Sequence, residues 1–328
     1  MKLNLPNFLT TPQTTSFMKK QIRNTIVISC LAGIVFTGCG KKYDPGPVST
    51  STYTVESFLS EMAVKPKKVK FNAASGASFF GNSGTHYEFQ PSSFRNAAGV
   101  IVTGDVDVSV SEFLNRADML FSSVLPVTAT DALVSGGEIL VTAEQGGEQL
   151  NMAPGKLFTA KMPMKGTDAK NMTLFTGVMD NGRVVWRPAD SVTGPGTPGI
   201  TIAGDTVAII SDRVGYCNAD RFMTSPNYQQ FNIIINTGGL DYNDDSLTIL
   251  TLYDEFAGVW PCYKKREPGN VYKETHVPNI PVHFVAYVTI KGRVYGGILG
   301  ATPVTGSSYT VTLTPTTSKA LKAEIDKI

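Results

Sequence analysis

The chain has 328 residues, 42% of them hydrophobic, 17% charged and 9% aromatic, which suits a folded body and excludes global disorder. A formal net charge of +2 excludes a dedicated nucleic-acid binder, which would be clearly basic. With 31 Gly and 19 Pro, and with Lys, Glu and Leu sparse for a helical protein, the composition predicts an all-β chain of two domains. The first element is an address. Lys2, Lys19, Lys20 and Arg23 precede an apolar run from Ile26 to Phe36, broken only by Ser29 and Gly33. The run is shorter than the roughly 20 residues a membrane-spanning helix needs. A basic start, a short apolar stretch and small residues after it predict a secretory signal over residues 1–38.

Phe36-Thr37-Gly38-Cys39 resembles the lipobox of bacterial lipoproteins, with Phe36 where the family usually has Leu. The resemblance implies cleavage before Cys39 and diacylation of its thiol, and several acyl chains make a stable anchor. Gly40 follows where, in that family, Asp retains a protein in the inner membrane, so the expected location is the outer membrane. Met18, just ahead of Lys19-Lys20, is an alternative start. Losing residues 1–38 removes four of the 29 basic residues and none of the 27 acidic ones, which leaves a near-neutral chain. Residues 39–65 are then the lipidated Cys and a tether, rich in Gly, Pro, Ser and Thr over 40–52. The pattern does not decide between a helix and an extended lead-in over Val55–Val64.

Residues 66–199 read as a first β-sandwich. Val106, Val108 and Val110 alternate with period two, and Ile139 and Val141 continue the pattern. Gln145-Gly146-Gly147-Glu148 and Ala153-Pro154-Gly155-Lys156 are turns, and Asn181-Gly182 predicts a two-residue hairpin between Leu174 and Trp186. The Pro/Gly-rich stretch 187–199 is the expected boundary or long surface loop. Residues 200–328 read as a second sandwich, with strands at Ile200–Ile210, Phe231–Asn236, Leu247–Tyr253, Val282–Ile290, Val294–Leu299 and Tyr309–Thr314. Lys291-Gly292 predicts a tight hairpin. Leu321, Ile325 and Ile328 predict a closing helix from Ser318.

Three segments, FNAASGASFFGNSGTHYEFQPSSF, VTGDVDVSVSEFLNRADMLF and SGGEILVTAEQGGEQLNMAPGKLFTAKMP, fall within residues 71–165. They resemble β-sandwich modules of Bacteroidota lipoproteins, loosely similar to ZU5 domains. Residues 215–316, opening with GYCNADRF, resemble the companion immunoglobulin-like or transthyretin-like module. The shared motifs are structural. The resemblance implies an envelope lipoprotein and carries over no catalytic residue.

The sequence contains no GxSxG, no P-loop, no dinucleotide fingerprint and no HExxH, and its three His are widely separated. No cofactor is expected, and the expected role is non-enzymatic. His283, in a predicted strand, is read as a packed or edge histidine. Asp241, Asn243 and Asp245 alternate as calcium ligands would, but Ser246 and Leu252 stand where an EF-hand needs Gly and Glu, so a solvated turn is the competing reading. Tyr253, Trp260, Tyr263 and Tyr272 surround a basic loop and could stack on sugar rings or cap a core. That leaves envelope proteins or glycans as partners beside the membrane, with a glycan-binding accessory role as the rival function. Ser191, Thr206 and Ser246 each follow Asp and precede an aliphatic residue, a three-residue pattern of Bacteroidota O-glycosylation. With Cys30 removed and Cys39 acylated, Cys217 and Cys262 remain, either bridged in an oxidising envelope or buried as separate thiols.

Overall fold

The computed structural model describes residues 53–164, 169–189, 197–223, 229–262, 265–276, 280–300 and 304–328. Its elements in chain order begin with α1 (Val55–Ser60), β1 (Lys67–Asn72), β2 (Ala77–Phe80), β3 (His86–Phe89), β4 (Phe94–Arg95) and β5 (Asp105–Phe113). Helix α2 (Arg116–Phe121) precedes β6 (Leu133–Gln145), β7 (Glu148–Gln149), β8 (Asn151–Met152) and β9 (Phe158–Pro163). Then come β10 (Thr173–Asp180), β11 (Arg183–Pro188), β12 (Gly199–Ala203), β13 (Thr206–Ser211) and β14 (Gly215–Phe222). The rest is β15 (Gln229–Asn236), β16 (Leu247–Tyr253), β17 (Val259–Pro261), β18 (Val271–His276), β19 (Val282–Ile290), β20 (Arg293–Gly300), β21 (Ser308–Thr312), β22 (Thr314–Pro315) and α3 (Ser318–Ile325). The fold is all-β, as the composition predicts.

Strands β1 to β14 build the first body. One sheet runs β1-β5-β6-β14-β10-β11 and the other β12-β13-β9-β3-β2. They share one core: Val106, Val108, Val110, Ile139 and Val141 come from the first sheet, and Tyr87, Phe89, Phe158, Ala160 and Ile209 from the second. The period of two on β5 is the cause, since alternate side chains must leave water together. The opposite face of the first sheet is also dry. Phe113, Leu133, Phe175 and Trp186 lie there against Met119 of α2 and Val124, and Trp186 Nε1 donates to the Leu125 carbonyl at 2.9 Å.

The second body places β18-β15-β21 beside β17-β16-β19-β20-β22. Their core holds Phe231, Ile233, Ile249, Tyr253, Phe284 and Val311. β15 and β21 pair in parallel, with Ile233 opposite Tyr309. The hairpins occur where expected: Asn181 and Gly182 take φ +49° and +78°, Lys291 and Gly292 +51° and +73°. Thr317 caps α3 by accepting from the Ala320 amide at 3.2 Å, and Leu321 and Ile325 are buried.

Three expectations need correction. The Pro/Gly stretch 187–199 does not divide the sandwiches, because it joins β11 to β12 and both belong to the first body. β13 pairs with β9, and β14 inserts between β6 and β10, so the first body extends through Phe222. The tether does not extend to 65, because α1 is folded. Thr54 and Ser57 form a reciprocal cap, and Phe58 is wholly buried, 5.9 Å from the Phe121 ring and 5.7 Å from the Tyr287 ring. Finally, RADMLF, in the segment read as strands, is helix α2, capped by Asn115 accepting from the Asp118 amide at 2.8 Å.

Helices α1, α2 and α3 close over the outer face of β16, β19 and β20, with Phe58, Leu120, Phe121, Val285, Tyr287 and Leu321 in one cluster. Arg116, opening α2, donates to the carbonyls of Asp254, Phe256 and Ile328 at 2.8–3.0 Å. Lys322 of α3 reaches Asp118 of α2 at 3.1 Å. The two bodies are therefore stapled together, and residues 50–328 form one compact unit.

Candidate functional site

The aromatic candidates differ in their surroundings. Tyr253 and Tyr272 are buried, so the sugar-stacking expectation fails for both. Tyr253 stacks on Phe256 with ring centroids 4.8 Å apart. Trp260 is half-buried against the second core, and Tyr263 lies outside the described residues. Strand alternation explains the outcome. Tyr253 closes β16 beside Val282, and Tyr272 pairs with Ile233 in the middle of β15.

Tyr272 instead anchors the acidic turn. Its hydroxyl donates to Asp244 Oδ1 at 2.8 Å and lies 3.2 Å from the Tyr242 hydroxyl. Arg266 Nε meets the same Asp244 oxygen at 3.2 Å, and its guanidinium covers the Tyr242 ring at 4.7 Å. Burial first, then the bonds to Tyr242 and Asp244, push the Tyr272 phenol well above its ordinary range. Asn243 Oδ1 accepts from the Asp245 amide and Asp241 Oδ1 from the Tyr242 amide. The proposed calcium trio Asp241, Asn243 and Asp245 is thus a turn closed by its own hydrogen bonds. Among the described residues, no three His, Cys, Asp or Glu side chains gather as a metal site.

Cys217 and Cys262 are not bridged, which corrects the disulfide expectation. Cys217 packs in the first core and Cys262 against the second, so each serves a different body. Burial pushes the Cys217 thiol up to about 11, which keeps it protonated and inert. Of the modification candidates, Ser191 lies outside the described residues, as does Cys39. Thr206 is half-exposed at the β12–β13 hairpin, beside exposed Gly204 and Asp205. Ser246 Oγ donates to the carbonyls of Asn243 and Thr289, which occupies it structurally.

Two concave regions of the second body could receive a ligand. The first, a groove of about 560 Å³, lies along β15 and β18; its lining includes the amides Gln230 and Asn232, the cations Lys265, Arg266 and Lys273, and the carboxylates Glu267 and Glu274. Lys265 is exposed, and Lys273 pairs with Glu267 at 2.8 Å. This mixture of donors and acceptors suits hydroxyl groups, which both donate and accept. The second, about 640 Å³, lies between β20 and α3, with His283 at its edge. His283 Nδ1 meets Asp254 Oδ1 at 2.7 Å, which orients the ring. Gly300 leaves the ring uncovered, since a Cβ there would stand 3.3 Å from Nε2. The sequence reads His283 as a packed or edge histidine, without the Asp254 pairing. The pairing arises because β16 ends as β19 begins, with Leu252 opposite His283 and Asp254 one step beyond the ladder. No local signal marks it.

No family model matches the chain, and comparison with curated proteins finds no match either.

Proposed function

We propose that this chain is a lipid-anchored outer-membrane protein, acylated at Cys39, whose double β body works by presentation and binding and not by catalysis. One observation carries the structural half of the reading. α1, the first element after the tether, packs into the same apolar cluster as α2 and α3. The anchor thus leads into a single unit in which both sandwiches hold a fixed orientation. Residues 40–52, even fully extended, would keep that unit within about 45 Å of the membrane. The lipobox-like Phe36-Thr37-Gly38-Cys39 supports the anchoring half. Changing Cys39→Ser should move the protein from the membrane fraction to the soluble fraction and abolish incorporation of labelled fatty acid. Membrane retention of the variant, with no acyl mass on wild type, would sink the proposal.

The groove along β15 and β18 favours one second reading, an accessory glycan binder. Its amides, cations and carboxylates offer hydrogen-bond donors and acceptors to sugar hydroxyls in place of aromatic stacking. A glycan array probed with wild type and with a Lys265→Ala/Lys273→Ala variant tests it, and equal binding by both would reject it.

A further inference from the structure

The two sheets of the first body differ in what they turn outward. The sheet β1-β5-β6-β14-β10-β11 packs apolar residues on both faces. In the other sheet, β2, β3 and β9 turn one face to the shared core and the opposite face to water. Alternation buries Tyr87, Phe89 and Ala160 and so places Ser78, Phe80, His86, Glu88 and Lys161 outside. Register brings these five together. Phe80 lies opposite His86, and His86 opposite Lys161, in one row across three adjacent strands. Ser78 lies opposite Glu88 in the next row.

Phe80 is 60% exposed, on the edge strand β2. Its ring rests on the His86 ring, with centroids 4.7 Å apart and planes 32° apart, so one face is backed and the other is open. His86 is itself held from both ends. Its Nε2 lies 2.8 Å from Ser78 Oγ, and its Nδ1 lies 3.4 Å from Glu88 Oε1. Lys161 Nζ donates to the same Glu88 oxygen at 3.0 Å, which leaves Glu88 Oε2 without a partner among the described residues. The Glu88 and Lys161 side chains are 43% and 45% exposed, so both can also serve a ligand.

Size and charge decide what this face fits. One open phenyl ring falls far short of the roughly 800 Å² per partner that a stable protein interface buries. The charges of Glu88 and Lys161 cancel, so the patch selects neither an anion nor a cation. An apolar ring face beside a carboxylate that accepts and an ammonium that donates matches a pyranose, whose C–H face is apolar and whose hydroxyls do both. With strands about 4.8 Å apart, the backbones at Phe80 and Lys161 are separated by about 10 Å, the span of one or two sugar rings.

We propose that Phe80, Glu88 and Lys161 form a platform for a neutral glycan on the outer face of the first body. A pyranose ring stacks on the open face of Phe80, and its hydroxyls bond to Glu88 and Lys161. The proposal rests on the binding half of the reading above and is separate from the groove of the second body.

The test is calorimetric titration of the full acylated chain, in a detergent without a sugar headgroup, with neutral oligosaccharides of glucose, galactose and mannose. At least one should bind, with little change between low and high salt. Phe80→Ala and Phe80→Leu should each weaken that binding at least tenfold, and Phe80→Trp should preserve it. Because Phe80 is exposed, all three variants should keep the wild-type melting midpoint, which shows that they fold. Lys265→Ala/Lys273→Ala should bind as wild type does. Absence of binding by wild type overturns the proposal, and so does wild-type affinity in Phe80→Ala or in Phe80→Leu. Binding lost only in Lys265→Ala/Lys273→Ala overturns the platform and leaves the groove as the glycan site.

Discussion

The first sandwich buries three acids, Glu112, Glu138 and Asp220, within one sheet, whereas the second buries one, Glu274, and keeps Asp244, Arg266 and Lys273 at its rim around an aromatic core. The two bodies also treat individual polar groups differently. Glu112 accepts from the Ser83 and Thr85 amides at 2.7 and 2.9 Å and clamps the 81–85 turn. Gly81 leaves room for that carboxylate, since a Cβ there would stand 2.2 Å from Oε2. Glu138, in the adjacent strand, retains an unpartnered oxygen. In the second body Asp244 is shared between Tyr272 and Arg266 in partial contact with water. A buried acid satisfied by backbone amides is a structural clamp, while one left with an unpartnered oxygen next to a second acid is a local cost to the fold.

The helical staple is where the comparison breaks most easily. Phe58→Ala should remove the central ring of the shared cluster and cost about 3–5 kcal/mol. Trp186 reports on the first body and Trp260 on the second. Urea unfolding followed by fluorescence should show one transition in wild type and two in Phe58→Ala, resolved by single-Trp variants. Coincident transitions in the variant would show that α1 does not couple the bodies.

Glu138 and Asp220 predict a pH dependence confined to the first body. Their folded pKa values lie above the unfolded ones, so the stability they contribute is fully present below the unfolded carboxyl pKa. It is lost as pH rises through the folded values. Wild type should lose up to about 1.4 kcal/mol per pH unit for each proton involved across that window. Tyr216, the neighbouring phenol, is itself raised, by burial first and then by Glu138, and stays neutral there. Glu138→Gln should flatten the slope. Chemical denaturation from pH 5 to pH 8 measures it, and an unchanged slope would remove Glu138 as its source.

The smallest effect belongs to the rim of the second body. Tyr272→Phe deletes the bond to Asp244 and the contact with Tyr242, and should cost about 1 kcal/mol. Urea denaturation of wild type and variant at neutral pH measures that cost. A cost indistinguishable from zero would mean that Arg266 alone holds the turn.

Local chemistry determined much of this molecule from sequence alone. Period-two runs such as Val106-Val108-Val110 became strands, and Asn181-Gly182 and Lys291-Gly292 became hairpins. The Thr317-capped helix followed too, because each depends only on torsional preference and alternation within a few residues. Tertiary structure decided the rest. Nothing local tells β14 to insert between β6 and β10, so the boundary shifted from residue 199 to beyond Phe222. The half-hydrophobic segments around Phe58 and Phe121 became helices because an exposed sheet face needed covering. Among the candidate sites, the aromatic residues were legible as residues but not as buried or exposed, since that depends on which neighbour each strand finds. The buried cluster of Glu138, Asn218 and Asp220 was invisible for the same reason. Glu138 lies far from the other two in the chain, and only the pairing of β6 with β14 places them within hydrogen-bond distance.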